Sequence, residues 1–284
     1  MNPLLACMCA AILGTPAGPV DPAPPGTLRP GFVELGTVRF SPTRGEVEAD
    51  GTFNLRAGFL EFLACAPGMK AHETLISLGC DPVDLKTALL LLGIEEGRRP
   101  RSDGDLLPLE GDRVVILLRY HLPLEKGGRV LCEKRAEECL VNGPMDRPMA
   151  RVGWVFTGST FLEVEPPPLS ADAERGTGAG AGDEAEESPG QESPRPSKMV
   201  YAPRLAGQYI ALCHRPLAIL DNPLALPYVD ADYYSAPEVL PPVDYDDPPP
   251  VTLVFRRPRA GEIDRAVVRM ELPPLGEEEP AGDD

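Results

Sequence analysis

The chain has 284 residues, 43% of them hydrophobic, a net charge of −17, and 35 prolines and 28 glycines. That apolar fraction supports one sizeable core, while proline and glycine well above their usual ~12% predict long irregular segments around it. Three stretches, 163–198, 229–250 and 276–284, carry the whole net charge; such acidity repels nucleic acid and anionic membrane, so no nucleic-acid partner is expected.

At the N-terminus, "MNPLLACMCAAILGTPAGPVDPAPPG" has an apolar run from Leu4 to Leu13, then small residues and prolines. The run has the length of an export signal's hydrophobic part and is too short to span a bilayer. No Lys or Arg precedes it. "LLAC" also looks like a lipoprotein box, which would put a lipid anchor at Cys7. Residues 1–29 are read as leader and linker, and the protein as exported, periplasmic or attached to the cell envelope. No other stretch is long and apolar enough for a transmembrane segment.

Structure is expected to begin near Phe32. "VRFSPTRGEVEADGTFNL" reads as hairpin-rich, with Ser41-Pro42 and Asp50-Gly51 as turn signals. "FLEFLACA" and "HETLISL" are apolar runs joined at Pro67-Gly68, read as two antiparallel strands of a hairpin. "DPVDLKTALLLLG" is the clearest helix. Asp81 can cap it, Pro82 suits its first position, and Gly93 suits the left-handed residue beyond its end. Leu85, Ala88, Leu89 and Leu92 then form one apolar stripe.

"DRVVILLRYHL" follows as a central strand, "RVLCEKRAEECLVNG" as one or two more, and "ARVGWVFTGSTFLEVE" as another. Residues 166–198 offer almost nothing to bury and are read as a disordered acidic insertion. Strands resume at "QYIALCHRPLAIL" and end in "VTLVFRR". The fold class expected is α+β: a mainly antiparallel sheet with one helix packed on it. A single domain is expected over 30–165 and 199–260, with 261–284 an acidic tail.

The ordered set "EFLACAPGMKAHETLISL", "DPVDLKTALLLLG", "AEECLVNG", "GWVFTGSTF", "YIALCHRPLAILDNP" and "PVTLVF" resembles the YdjY-domain family, over most of 33–257. The resemblance implies a compact domain, commonly exported from bacteria, without an established activity. A ferredoxin-like label applied to some relatives is not carried over, because iron ligation needs clustered cysteines that this spacing lacks.

Candidate sites come from the reactive residue types. His72-Glu73 begins a zincin-like motif, but Ile76 stands where the second histidine would be, so no such zinc site is expected. An antiparallel hairpin would instead bring Cys65 across from His72, with Glu73 on the opposite face. Such a pair can activate a thiolate or share a soft metal; equally, Cys65 can pack inward while His72 bonds a loop carbonyl. His121, Cys213 and His214 complete the set from which a transition-metal site with Cys65 and His72 would have to come. Cys132 and Cys139 can form a bridge if the chain doubles back between them.

Trp154 reads as a core anchor and a candidate binding residue beside Gly153 and Gly158. Ser159 lies in "TGST" without the G-x-S-x-G elbow of a nucleophile. "DNP" at 221–223 reads as a turn in which Asp221 or Asn222 bonds its own backbone. The leading expectation is a non-enzymatic binding or interaction protein with an unidentified protein or small-molecule partner and no cofactor. The competing one is a thiol- or metal-dependent redox protein using Cys65 and His72.

Overall fold

The computed structural model describes residues 30–103, 105, 107–143, 146–164, 197–224 and 233–263. The expected leader, the acidic insertion up to residue 196 and the tail beyond Ile263 lie outside the described residues. Lys198, assigned above to the insertion, opens a strand.

In chain order the first strands are β1 (Val33–Leu35), β2 (Val38–Ser41), β3 (Glu46–Phe53), β4 (Phe59–Leu60), β5 (Phe62–Cys65) and β6 (Thr74–Leu78). Helix α1 (Pro82–Leu91) leads to β7 (Arg113–Pro123), β8 (Arg129–Arg135), β9 (Leu140–Asn142) and β10 (Arg147–Pro148). β11 (Trp154–Phe156), β12 (Phe161–Val164) and β13 (Lys198–Tyr201) precede the short helix α2 (Ala202–Ala206). The last strands are β14 (Gln208–Ala211), β15 (Leu220–Asp221), β16 (Tyr233–Ser235) and β17 (Pro250–Arg256).

Eight strands close on themselves in the order β3-β17-β7-β11-β15-β14-β5-β6, with β6 pairing back to β3. β1 and β2 extend the sheet beyond β3, and β8 extends it beyond β7. β4, β9, β10 and β16 form a second sheet, and β12 and β13 a separate ribbon. The expected α+β class is therefore wrong: helical residues make up only 12% of the described chain, and the architecture is a closed β-barrel. Local periodicity marks extended segments, but it does not say whether the sheet they build stays open or closes.

Closure turns on Gly51. Asp50-Gly51, expected as a turn, lies inside β3, where Gly51 pairs with Leu78 of β6. A Cβ there would stand 2.4 Å from the Ser77 carbonyl oxygen. The glycine is in mid-strand because another backbone approaches too closely for any side chain.

An eight-stranded barrel leaves an interior that side chains can fill. Here fully buried Trp154, Tyr120, Phe53, Phe156 and Phe255 belong to one continuous core. Alternation along β7 sends Val114, Ile116, Leu118 and Tyr120 into it. The other face of β7 is also apolar: Val115 and Leu117 join Val254 in a small buried cluster. That is why this strand reads as a continuous apolar run.

The helix forms as its sequence dictates. Asp81 accepts from the Val83 amide at 2.8 Å, and Gly93 takes φ +72° just past the end. Leu85, Ala88 and Leu89 are buried. Among the described residues no helix is long and apolar enough to cross a membrane.

Just beyond β17 the chain folds back, and Glu262 receives Arg256 through two bonds, one of them 2.7 Å. Arg135 at the end of β8 approaches the same carboxylate at 3.5 Å and donates to the Glu262 carbonyl at 3.3 Å. The Arg256 contacts, with help from the Arg259 amide, hold the Glu262 carboxyl down at about 2 against burial. A carboxyl depressed in the folded state stabilises it above the unfolded value near 4.5, and that stabilisation is lost as pH falls toward 2. In acid titrations followed by circular dichroism, wild type is expected to exceed Glu262→Gln in stability at pH 7. The gap should close between pH 4.5 and 2.

Candidate functional site

Two pairs of parallel neighbours sit side by side in the barrel wall. β5 and β6 are parallel, as are β14 and β15, while β5 and β14 run antiparallel between them. Each parallel pair is joined by a short crossover, residues 66–73 in one case and 212–219 in the other.

The expected Cys65–His72 hairpin is overturned by this arrangement. In the parallel register Cys65 lies opposite Ser77, five residues beyond His72. Residues 71–73 form a 3-10 turn, not the start of a strand. Cys65 is fully buried with Phe62, Ala211 and Ala218, whereas the His72 side chain is 81% exposed. Sulfur and imidazole therefore occupy different environments. Glu73 is not a solvated edge charge either: it is mostly buried, receives Lys70 at 2.6 Å and has His72 Nε2 at 3.7 Å.

Around Phe62 the two crossovers meet. The Lys70 ammonium from the first lies 6.0 Å from the ring centroid, and the Arg215 guanidinium from the second lies 5.5 Å from it. Cations at such distances are attracted to an aromatic face. Each also has carboxylate partners: Lys70 pairs with Glu73, and Arg215 reaches Glu61 at 2.5 Å and Asp103 at 3.0 Å. Lys70 holds a left-handed backbone at φ +51°, uncommon for a residue with a side chain.

The second crossover is pinned from beneath. Asp221 accepts the Arg215 amide at 2.9 Å and the Asn222 amide at 2.8 Å. Asn222 donates to the Leu212 carbonyl and accepts from Leu224, the side-chain-to-backbone turn that "DNP" implies. Complete burial pushes the Asp221 carboxyl well above its ordinary range, against the pull of those amides and Arg215. His214 is also fully buried, its Nδ1 against the Asp105 carbonyl, and burial lowers its pKa.

The remaining expected site residues are structural. Trp154 is inaccessible in the core, donating to the Ala211 carbonyl at 3.1 Å. Ser159, at φ +57°, bonds the Leu217 carbonyl at 2.9 Å. Ser159 braces the second crossover, and Trp154 the end of β14 that leads into it. His121 lies half-buried on β7, opposite Leu131 of β8. Among the described residues no three His, Cys, Asp or Glu side chains form a group that could hold a metal ion. Cys65, His72, His121, Cys213 and His214 thus make no common site.

No disulfide joins Cys132 to Cys139, the bridge left open above if the chain doubled back between them. Burial pushes the thiols of Cys65 and Cys213 up to about 11, and those of Cys80 and Cys139 to about 12. A nucleophilic or metal-binding thiol needs the opposite shift.

Lys70, Arg215 and Glu61 escaped the sequence reading because it followed metal-binding, nucleophilic and aromatic residue types and not cation–carboxylate pairs. One signal was present: Glu61 interrupts the apolar run "FLEFLACA", and a charge there requires a buried partner. No family model matches the chain, and no curated protein or solved structure matches it either.

Proposed function

We propose that this chain is a non-catalytic binding protein of the cell envelope, of the YdjY-domain kind, that recognises a small molecule or protein at the surface where Lys70 and His72 lie above the buried Phe62 ring. The observation that carries the reading is the convergence of two crossovers on one buried aromatic ring, the first bringing the Lys70–Glu73 pair and the second Arg215, which pairs with Glu61 beside the ring, with exposed His72 at the margin. The accessible Lys70 ammonium and His72 imidazole at this edge suit a polar partner that carries negative charge. The raised thiols weigh against the redox alternative. Export, and the anchor at Cys7, rest on the sequence of residues 1–29 alone.

The test places a photo-crosslinking amino acid at His72, or at exposed Leu91 as control, in cells that make the protein. A discrete adduct formed at 72 and absent at 91, recovered from the envelope fraction, is the expected result. Equal or absent adducts at both positions would overturn the reading, as would a stoichiometric transition metal in protein purified without added metal.

A further inference from the structure

We propose that two copies of this chain pair through β8, antiparallel about a two-fold axis at Leu131, to make one continuous sheet across a homodimer. β8 pairs with β7 without a break from Arg135 opposite Leu117 to Arg129 opposite Pro123. Among the described residues β8 pairs with no other strand. Edge strands that avoid association use proline, bulges, shortness or charged side chains, and the charges of β8 are of both signs, so they can pair across a two-fold axis. β8 has seven residues, no proline and an unbroken register.

Its sequence makes the pairing self-complementary. Arg129, Leu131 and Glu133 share one face of the strand by alternation. With the axis at Leu131, Arg129 of each copy stands opposite Glu133 of the other, and the two Leu131 side chains meet. Val130 then faces Cys132 on the reverse side. Moving the axis one residue forward sets Arg129 against Arg135, and moving it one back leaves Arg129 opposite Leu131. Of these three registers only the central one gives opposite charges on both sides, and a register centred on Lys134 would set the two Lys134 side chains against each other. Leu131 is 62% exposed and Val130 42%, so both have apolar surface to bury. Glu133 contacts Arg119 at 2.5 Å, yet 47% of its side chain remains accessible; Arg119 also engages Glu48 at 2.6 Å. Glu133 is thus available to a second cation, and Arg119 is not left unpaired if Glu133 is shared. An isologous contact of this kind closes at two copies and does not propagate into fibres.

The experiment is sedimentation velocity on the full chain over a concentration series at ~0.15 M salt, where long-range repulsion between the acidic bodies is screened. Wild type is expected to be dimeric. Arg129→Glu and Glu133→Lys, each alone, place like charges at both contacts and should raise the dissociation constant about tenfold or more. An equimolar mixture of the two variants restores opposite charges at both contacts and should recover the dimer, which also shows that both variants are folded. A wild type monomeric up to ~100 μM overturns the proposal. So does a mixture that associates no better than its components.

Discussion

Arg215→Ala is expected to destabilise the barrel by about 3–5 kcal/mol, measured by urea unfolding, because it strands a buried carboxylate. Arg215 and Glu61 are each only 7% exposed in their side chains and lie 2.5 Å apart. The substitution removes the guanidinium but leaves Glu61 with its desolvation uncompensated. Asp103 is 59% exposed and can return to water, so it adds little. The discriminating comparison is Arg215→Met combined with Glu61→Gln, which removes both charges at similar volume. It should recover much of the loss, since replacing a buried pair by packed groups costs far less than breaking it. Equal losses in the single and double variants would show that the packing of Arg215 over Phe62, not the ion pair, sets the effect.

Trp154→Ala should cost a similar amount for a different reason. The indole is fully buried in the barrel core, and deleting it leaves a cavity worth about 3–5 kcal/mol. It also orphans the Ala211 carbonyl that Trp154 Nε1 satisfies at 3.1 Å. For a domain of this size the combined effect is a fall in Tm of roughly 10 °C, readable by differential scanning calorimetry. Trp154→Phe fills most of the volume but leaves the carbonyl unpaired, so it should fall between wild type and alanine. If Trp154 acted in binding, its loss would instead alter crosslinking at His72 with little change in Tm.

How far the sequence could be read depended on the range of the interaction. Asp81, Pro82 and Gly93 bounded α1 because capping is local. The strand character of β7 was plain from its composition, and Ser41-Pro42 did turn the chain between β2 and β3, with the Gly45 amide bonding the Ser41 carbonyl at 2.8 Å. Pairing was another matter. The short link between β5 and β6 pointed to an antiparallel hairpin, since parallel neighbours usually need a dozen or more connecting residues. β5 is only four residues long, however. The return path is therefore roughly 13 Å, well within the reach of residues 66–73.

That reversal decided the site. Antiparallel pairing would have joined Cys65 to His72; parallel pairing buries the thiol and puts the imidazole at the surface. Gly51 misled for a related reason. A glycine after aspartate has the same local signature in a turn as at a close approach of two backbones, and only the position of β6 distinguishes them. The convergence on Phe62 depends on residues about 150 positions apart in the chain, Glu61 and Arg215 being 154 apart. No spacing rule joins them.

The position of β17 between β3 and β7 has a consequence for biosynthesis. Among the described residues it is the last strand made, yet it forms the bond between two of the longest strands made before it. A nascent chain up to residue 249 therefore holds β3 and β7 with a gap between them and two backbone edges open to solvent. The wall is completed only after synthesis passes Arg256, so closure is governed by long-range contacts.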